Sequence, residues 1–278
     1  MLLNFVRIVI FSLMFAVGIN LSVQQLLSVW RRPDALVRAL LAIVVLFPLM
    51  TFVLLRLLDL PSAAATGLVV LAAAAGPPLL VKRSEMAGAA SDFSASLMLT
   101  LGLLAVVVTP LTLTVFYSFF DLDTERVRAT SVAGQVAMAQ LLPIGLGLAL
   151  QRVLPGVAKA IRKPVLLISN VLFGILVLVL IAPAVAIVSQ VGLATAAVAA
   201  VMSVVGLAIG HLVGPPDPRE RAAVAIGTIA RNLGLAIFIV TLSGVQEAAA
   251  PAILTYAVIG FVFGVPYSRW SKRQVARS

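Results

Sequence analysis

From about Leu3 to Leu27 the sequence is almost wholly apolar, and apolar runs of about 18–25 residues recur down the chain, nine in all. A helix of that length matches the hydrocarbon thickness of a bilayer, where every backbone N–H and C=O must find its partner within the protein. The pattern predicts an all-α membrane protein of about nine transmembrane helices. Composition agrees: 62% of residues are hydrophobic, 11% are charged and mean hydropathy is +1.16, which excludes a soluble domain. The opening Met1-Leu-Leu-Asn-Phe-Val-Arg7 has the look of a signal peptide. No small-residue cleavage pattern precedes Gln24-Gln25, however, so it reads as the start of a first span.

The remaining runs fall at about 35–55, 62–81, 93–119, 132–150, 164–188, 193–213, 222–240 and 251–267. A net charge of +10 and a pI near 11.2 raise the question of nucleic acid. The basic residues, though, are scattered singly between spans rather than gathered on one polar face, which points to topology instead. With the amino terminus outside, 13 of the 20 basic residues fall in cytoplasmic segments, around Arg31, Arg152, Arg219 and Arg269. Four, Arg7, Arg56, Arg126 and Arg128, fall outside, which satisfies the positive-inside rule. The expected topology therefore ends in a short basic cytoplasmic tail, 268–278.

Two interruptions break the apolar runs. Gly76-Pro77-Pro78 removes two donors from the third run and cannot continue a helix. Arg231-Asn232 sits midway through the eighth, within Gly227-Thr-Ile-Ala-Arg231-Asn232-Leu-Gly-Leu-Ala236, and no acid nearby in sequence neutralises it. A charge at that depth usually faces a cavity and serves a pathway or site. Both interruptions occupy the third run of a four-run unit, and they stand five positions apart in the series of runs. The expected organisation is a single transporter domain, 1–278, with an inverted repeat: one unit at about 1–120, a linking helix at about 131–152 and a second unit at about 163–270.

Met14-Phe15-Ala-Val-Gly18-Ile-Asn-Leu21, Pro77, then Ser96 and Thr100 followed by Pro110 carry a further pattern, continued by Leu141-Leu-Pro143-Ile-Gly145-Leu-Gly147 and by Asn232, Gly234, Leu235 and Ala236. In order and spacing these resemble the bile acid:sodium symporter family over most of the chain. The resemblance implies a core of two broken, crossing helices, a panel of other helices, and alternating access for organic anions coupled to sodium. It also implies a divergent, bacterial-type member. Lys82 and Arg83 stand where the family has a sodium-binding serine and asparagine, Gly227 where it has a glutamate and Arg231 where it has a glutamine. Only Ser96, Thr100 and Thr228 remain as side-chain oxygen ligands.

Sodium needs several oxygens and is repelled by three fixed positive charges, so ordinary sodium coupling is not expected. Instead Lys82, Arg83 and Arg231, with Asn232 and Thr228, are expected to take the place of the sodium ions and to hold an anionic substrate. A guanidinium offers a planar fork suited to carboxylate, sulfonate or phosphate. Helix ends at the breaks, marked by Pro77, Pro78, Gly227 and Gly234, would add positive potential.

The same residues admit plainer readings. Arg231 would then pair internally with Glu85 or Asp92, and Lys82 and Arg83 would flank a span at the cytoplasmic surface. Glu85 and Asp92 would be counter-charges to that pair or proton carriers in place of sodium. Ser96 and Thr100 lie one turn apart and suit either ion coupling or bonds to their own backbone. His211, the single histidine, reads as interfacial, and Pro110, Pro143 and Pro183 as kinks.

Enzyme chemistry finds no support. There is no His-Glu-x-x-His, no phosphate-binding glycine loop, no assembled Ser/His/Asp set and no cysteine, and a single histidine removes most metal sites, so no cofactor is expected. The expected function is that of a secondary membrane transporter moving a small organic anion by alternating access, with altered or absent sodium coupling. One alternative is a sodium-coupled organic anion symporter using Ser96, Thr100 and backbone oxygens. Another, of a different class, is a membrane-embedded ligand sensor or binding protein without net transport. The lipid bilayer and the anion are the expected partners, nucleic acid is not, and the Ala/Val/Leu/Arg bias suggests a bacterial inner membrane.

Overall fold

The computed structural model of the chain describes residues 2–120, 128–181 and 184–277, and its regular structure among these is helical throughout. In chain order the helices are α1 (Leu2–Asn20), α2 (Pro33–Leu57), α3 (Ser62–Ala73), α4 (Leu80–Met86), α5 (Ser91–Tyr117) and α6 (Thr130–Val153). They continue with α7 (Pro155–Ile181), α8 (Ala184–Val213), α9 (Pro218–Ile229), α10 (Leu233–Leu242) and α11 (Gln246–Val275). Six apolar stretches among the described residues are long enough to cross a bilayer: α2, α5, α6, the Val191–Val213 part of α8, α9 taken through to the end of α10, and α11. Arg7–Asn20 and α3 are shorter apolar helices, so the expected count of nine goes beyond what length and composition secure here.

Local chemistry explains where helix ends depart from the apolar runs. α1 stops at Asn20 although the run continues to Leu27, and a separate short helix, Val23–Leu26, starts beyond it because Ser22 and Gln25 form a capping box at its head. Gln25 Oε1 accepts the Ser22 N–H at 2.9 Å, and Ser22 Oγ accepts the Gln25 N–H at 3.3 Å. α8 bends at Gly192, whose φ of 78° only glycine adopts freely, close to where the sequence predicts a boundary between spans. α5 runs on through Pro110, and α11 continues to Val275, so Arg269, Lys272 and Arg273 ride on a helix rather than a loose tail. Pro183 and most of the polar loop before α6 (121–127) lie outside the described residues.

α2 and α6 share a device. Each contains a π turn, Leu41–Leu46 in one and Ala137–Leu141 in the other, and each turn is followed by a proline, Pro48 or Pro143. The Phe47 N–H reaches back to the Ala42 carbonyl and the Leu142 N–H to Ala137, five residues in each case. The next bond of that kind needs the proline N–H, which does not exist. The Ile43 and Met138 carbonyls are therefore left for other donors.

Two groups of helices result. α1, α6 and α7 pack on one another as a panel. In that panel α1 and α6 touch backbone to backbone: a Cβ at Gly18 would stand 2.2 Å from the Ile144 carbonyl oxygen. The core is built on α11, which packs against α8, α3 and α10, while α8 also covers α9. Within it α3 from Ala64 to Ala73 and α9 from Ala222 to Ile229 are buried on every side, as helices of small apolar residues all round should be.

Candidate functional site

α3 ends at Ala73 and α4 begins at Leu80; between them Gly76 turns at a φ of 73° and Pro77 and Pro78 carry no N–H. α9 ends at Ile229 and α10 begins at Leu233. A helix that stops inside a protein core strands its last carbonyls, which must then find donors elsewhere. At the end of α3 every one of them does. The Arg231 Nε donates to the Leu71 carbonyl at 3.3 Å and its Nη2 donates to Ala72. Thr109 Oγ1 donates to Ala73 at 2.9 Å, and the Asn232 N–H donates to Ala74 at 2.9 Å. The Gly76 carbonyl accepts two amides, Gln140 Nε2 at 2.9 Å and Asn232 Nδ2 at 3.2 Å.

Arg231 Nη1 completes the set by donating at 3.1 Å to Ile43, the carbonyl that Pro48 leaves free in α2. The second break thus stitches the first. The cation, 4% exposed, also lies 4.7 Å above the Phe47 ring, which meets Tyr256 edge-on. Tyr256 in turn donates its hydroxyl to the Ile229 carbonyl at 2.9 Å, closing the end of α9. Asn232 caps α10, its Oδ1 accepting the Leu235 N–H at 3.0 Å. The ion pairs among the described residues are Arg32 with Glu220, Arg38 with Asp34 and Lys82 with Glu85. Arg231 belongs to none of them: its counter-charge is a ring of backbone carbonyl oxygens, the donor set that a hard cation such as sodium uses.

Two cavities flank this crossing, both between panel and core. One, of about 270 Å³, lies toward the end of α1 and is lined by Met14, Val17 and Asn20, by Pro78, Lys82 and Glu85, and by Ser169 and Asn170 of α7. The other, of about 460 Å³, lies toward the start of α1 and is lined by Arg7 and Phe11, by Gln135 and Met138 of α6, and by Gly234, Phe238 and Thr241. Each opens on the half of a broken helix that follows its break, α4 in one case and α10 in the other.

The residues singled out in the sequence separate accordingly. Arg231 and Asn232 meet the Gly76-Pro77-Pro78 break directly. Lys82 and Glu85 share the smaller cavity, 3.8 Å apart, with Glu85 Oε1 accepting from Ser91 Oγ at 2.8 Å. Arg83 turns away from it, donates to the Gly260 carbonyl of α11 at 3.1 Å and faces the Phe261 ring. Asp92 Oδ1 accepts the Phe93 N–H at 2.8 Å. Ser96 Oγ accepts the Val29 N–H at 3.0 Å, Thr100 donates to the Ser96 carbonyl and Thr228 to the Val224 carbonyl. Gly227 packs against Ile43 and Leu80, and His211 sits against Tyr267 and Trp270 near the end of α8.

Gln140, Thr109, Phe47, Arg7 and Gln135 join the region without having been anticipated. For Gln140 and Phe47 a signal existed, since Pro143 and Pro48 inside apolar runs mark helices whose backbone must loosen nearby. Comparison with known families gives a match of residues 7–211 to the one described as the sodium bile acid symporter family. A search of curated proteins finds no match.

Proposed function

The chain belongs to the sodium bile acid symporter family, and from that premise we propose a secondary transporter that moves a small organic anion by alternating access without coupling to sodium at the helix crossing. The family's members are membrane transporters, and the apolar helices fit a multi-pass integral membrane protein. The observation that carries the rest is the seat of Arg231. Its three donating nitrogens take the Leu71, Ala72 and Ile43 carbonyls, so a tethered cation fills a carbonyl ring at the very place where the resemblance implies a mobile one. Ser96 Oγ already accepts the Val29 N–H, and Gly227 and Arg231 offer no side-chain oxygen, so a sodium ion would find few ligands beyond the Thr100 and Thr228 hydroxyls, which donate to backbone carbonyls.

An anion would meet one cation on each side of the crossing, Arg7 in the larger cavity and Lys82 in the smaller, with the buried guanidinium adding positive potential between them. The paired placement of the cavities, each against the later half of a broken helix, supports the inverted repeat. The bias of basic residues supports an external amino terminus and a cytoplasmic carboxyl terminus.

The test is uptake of radiolabelled p-toluenesulfonate, a permanent anion with an apolar body, by proteoliposomes holding the purified protein. Saturable uptake that is equal in sodium and choline chloride is expected. Uptake that requires a sodium gradient, and that survives Arg231→Ala at the wild-type rate, would overturn the proposal.

A further inference from the structure

We infer that Gln140 is the positioning residue that sets the balance between the two access states of the transporter, an inference that rests on the alternating-access reading above. Gln140 belongs to a panel helix, α6, yet its side chain is 1% exposed and its Nε2 donates at 2.9 Å to the Gly76 carbonyl, deep in the core. The π turn Ala137–Leu141 carries it there, and Gly102 provides the slot: a Cβ on Gly102 would stand 2.8 Å from Gln140 Oε1. Asn232 Nδ2 shares the same carbonyl at 3.2 Å. Panel, first break and second break therefore meet on one oxygen.

Two features suit this contact to parting in each cycle. Gln140 Oε1 has no hydrogen-bond partner among the described residues. A buried amide with one orphaned end holds by its donor alone, so the contact is worth about one hydrogen bond and fixes a register without locking it. The bond also lies between the cavities. Met138 and Ala139 of the same π turn line one, and Pro78, two residues beyond Gly76, lines the other. A shift of panel against core that widens one cavity at the expense of the other must break the Gln140–Gly76 bond. Asn232 keeps the Gly76 carbonyl satisfied when it does.

The chain has no cysteine, so single reporters can be placed without background. Met138→Cys reports on the larger cavity and Leu21→Cys on the smaller, each read as the rate of reaction with a water-soluble maleimide in lipid nanodiscs. Gln140→Met, which keeps the length of the side chain and removes the donor, should move the two rates in opposite directions by about fivefold, the population shift that loss of one buried hydrogen bond sets. Its melting temperature should stay within about 3 °C of the parent. Gln151→Met, which removes a glutamine bond that stays within the panel, from Nε2 to the Ile19 carbonyl at 3.4 Å, should leave both rates unchanged.

Unchanged rates in Gln140→Met, or both rates rising together as in a general loosening, would overturn the inference. So would failure of both Gln140→Met and Gln140→Leu to yield folded protein, because the contact would then be a fixed joint. The labelling needs no substrate. Opposed shifts without p-toluenesulfonate uptake would count against the anion reading alone, and uptake without the shifts against Gln140 alone.

Discussion

Replacing Arg231 by methionine keeps an unbranched stem in the core and removes the guanidinium. The Leu71 carbonyl retains the Ala74 N–H at 3.1 Å, so the carbonyls left bare are those of Ala72 and Ile43. Each buried acceptor without a donor costs about 1–3 kcal/mol, and losing the contact with the Phe47 face costs about 1–2 kcal/mol more. Against this, a charge no longer has to be kept out of water, which returns part of the sum and leaves a net loss of about 2–5 kcal/mol. Thermal unfolding of the detergent-purified protein should therefore begin about 5–15 °C lower.

The vacancy should also acquire an affinity it did not have. Rimmed by the Leu71, Ala72 and Ile43 oxygens, it should admit sodium, and a ligand that binds only the folded state adds about 1.4 kcal/mol of stability at tenfold excess over its Kd. Arg231→Met should accordingly melt higher in sodium chloride than in choline chloride, whereas the wild type should show no difference. If the variant melts within about 1 °C of the wild type, or if the wild type itself is stabilised by sodium, the guanidinium is not what satisfies these carbonyls and the reasoning fails.

Other substitutions probe the same architecture. Gly76→Ala asks a side chain to adopt a φ of 73° with its Cβ 2.6 Å from the Gly102 nitrogen, and should abolish the monodisperse peak in size-exclusion chromatography. Gly145→Ala, where a Cβ meets nothing within 4 Å, should leave that peak intact. Ser96→Ala strands the buried Val29 N–H and should lower the melting point by the equivalent of about 1–3 kcal/mol, with no change in the response to sodium. Glu85→Gln frees Lys82 from a half-exposed ion pair, and isothermal titration with p-toluenesulfonate should show about three- to tenfold tighter binding, which Lys82→Met reverses.

The two breaks were legible in the sequence for different reasons. Pro77-Pro78 announces its break through missing donors, and Arg231-Asn232 through a charge that an apolar helix has no cause to carry. What Arg231 touches was not legible, because its partners are main-chain carbonyls and no side-chain type advertises them. Glu85 and Asp92 are the acids the sequence offers as counter-ions, yet Glu85 pairs with Lys82 one turn away on α4 and Asp92 accepts a neighbouring N–H. The separate helix start beyond α1 was hidden in the same way: Ser22 and Gln25 look like two polar residues in an apolar run until they cap each other. The cavity walls drew on α1, α4 and α7 at once, and only tertiary packing brings these together.

A cation that is part of the chain cannot dissociate. In a carrier driven by sodium, release of the ion on the side where it is scarce converts a gradient into work. A guanidinium held by Leu71, Ala72 and Ile43 completes no such exchange with either compartment. A carrier built around it would have no external battery at this position. It would equalise its substrate across the membrane or trade one molecule for another, and the direction of net flow would belong to the cell's chemistry rather than to the protein.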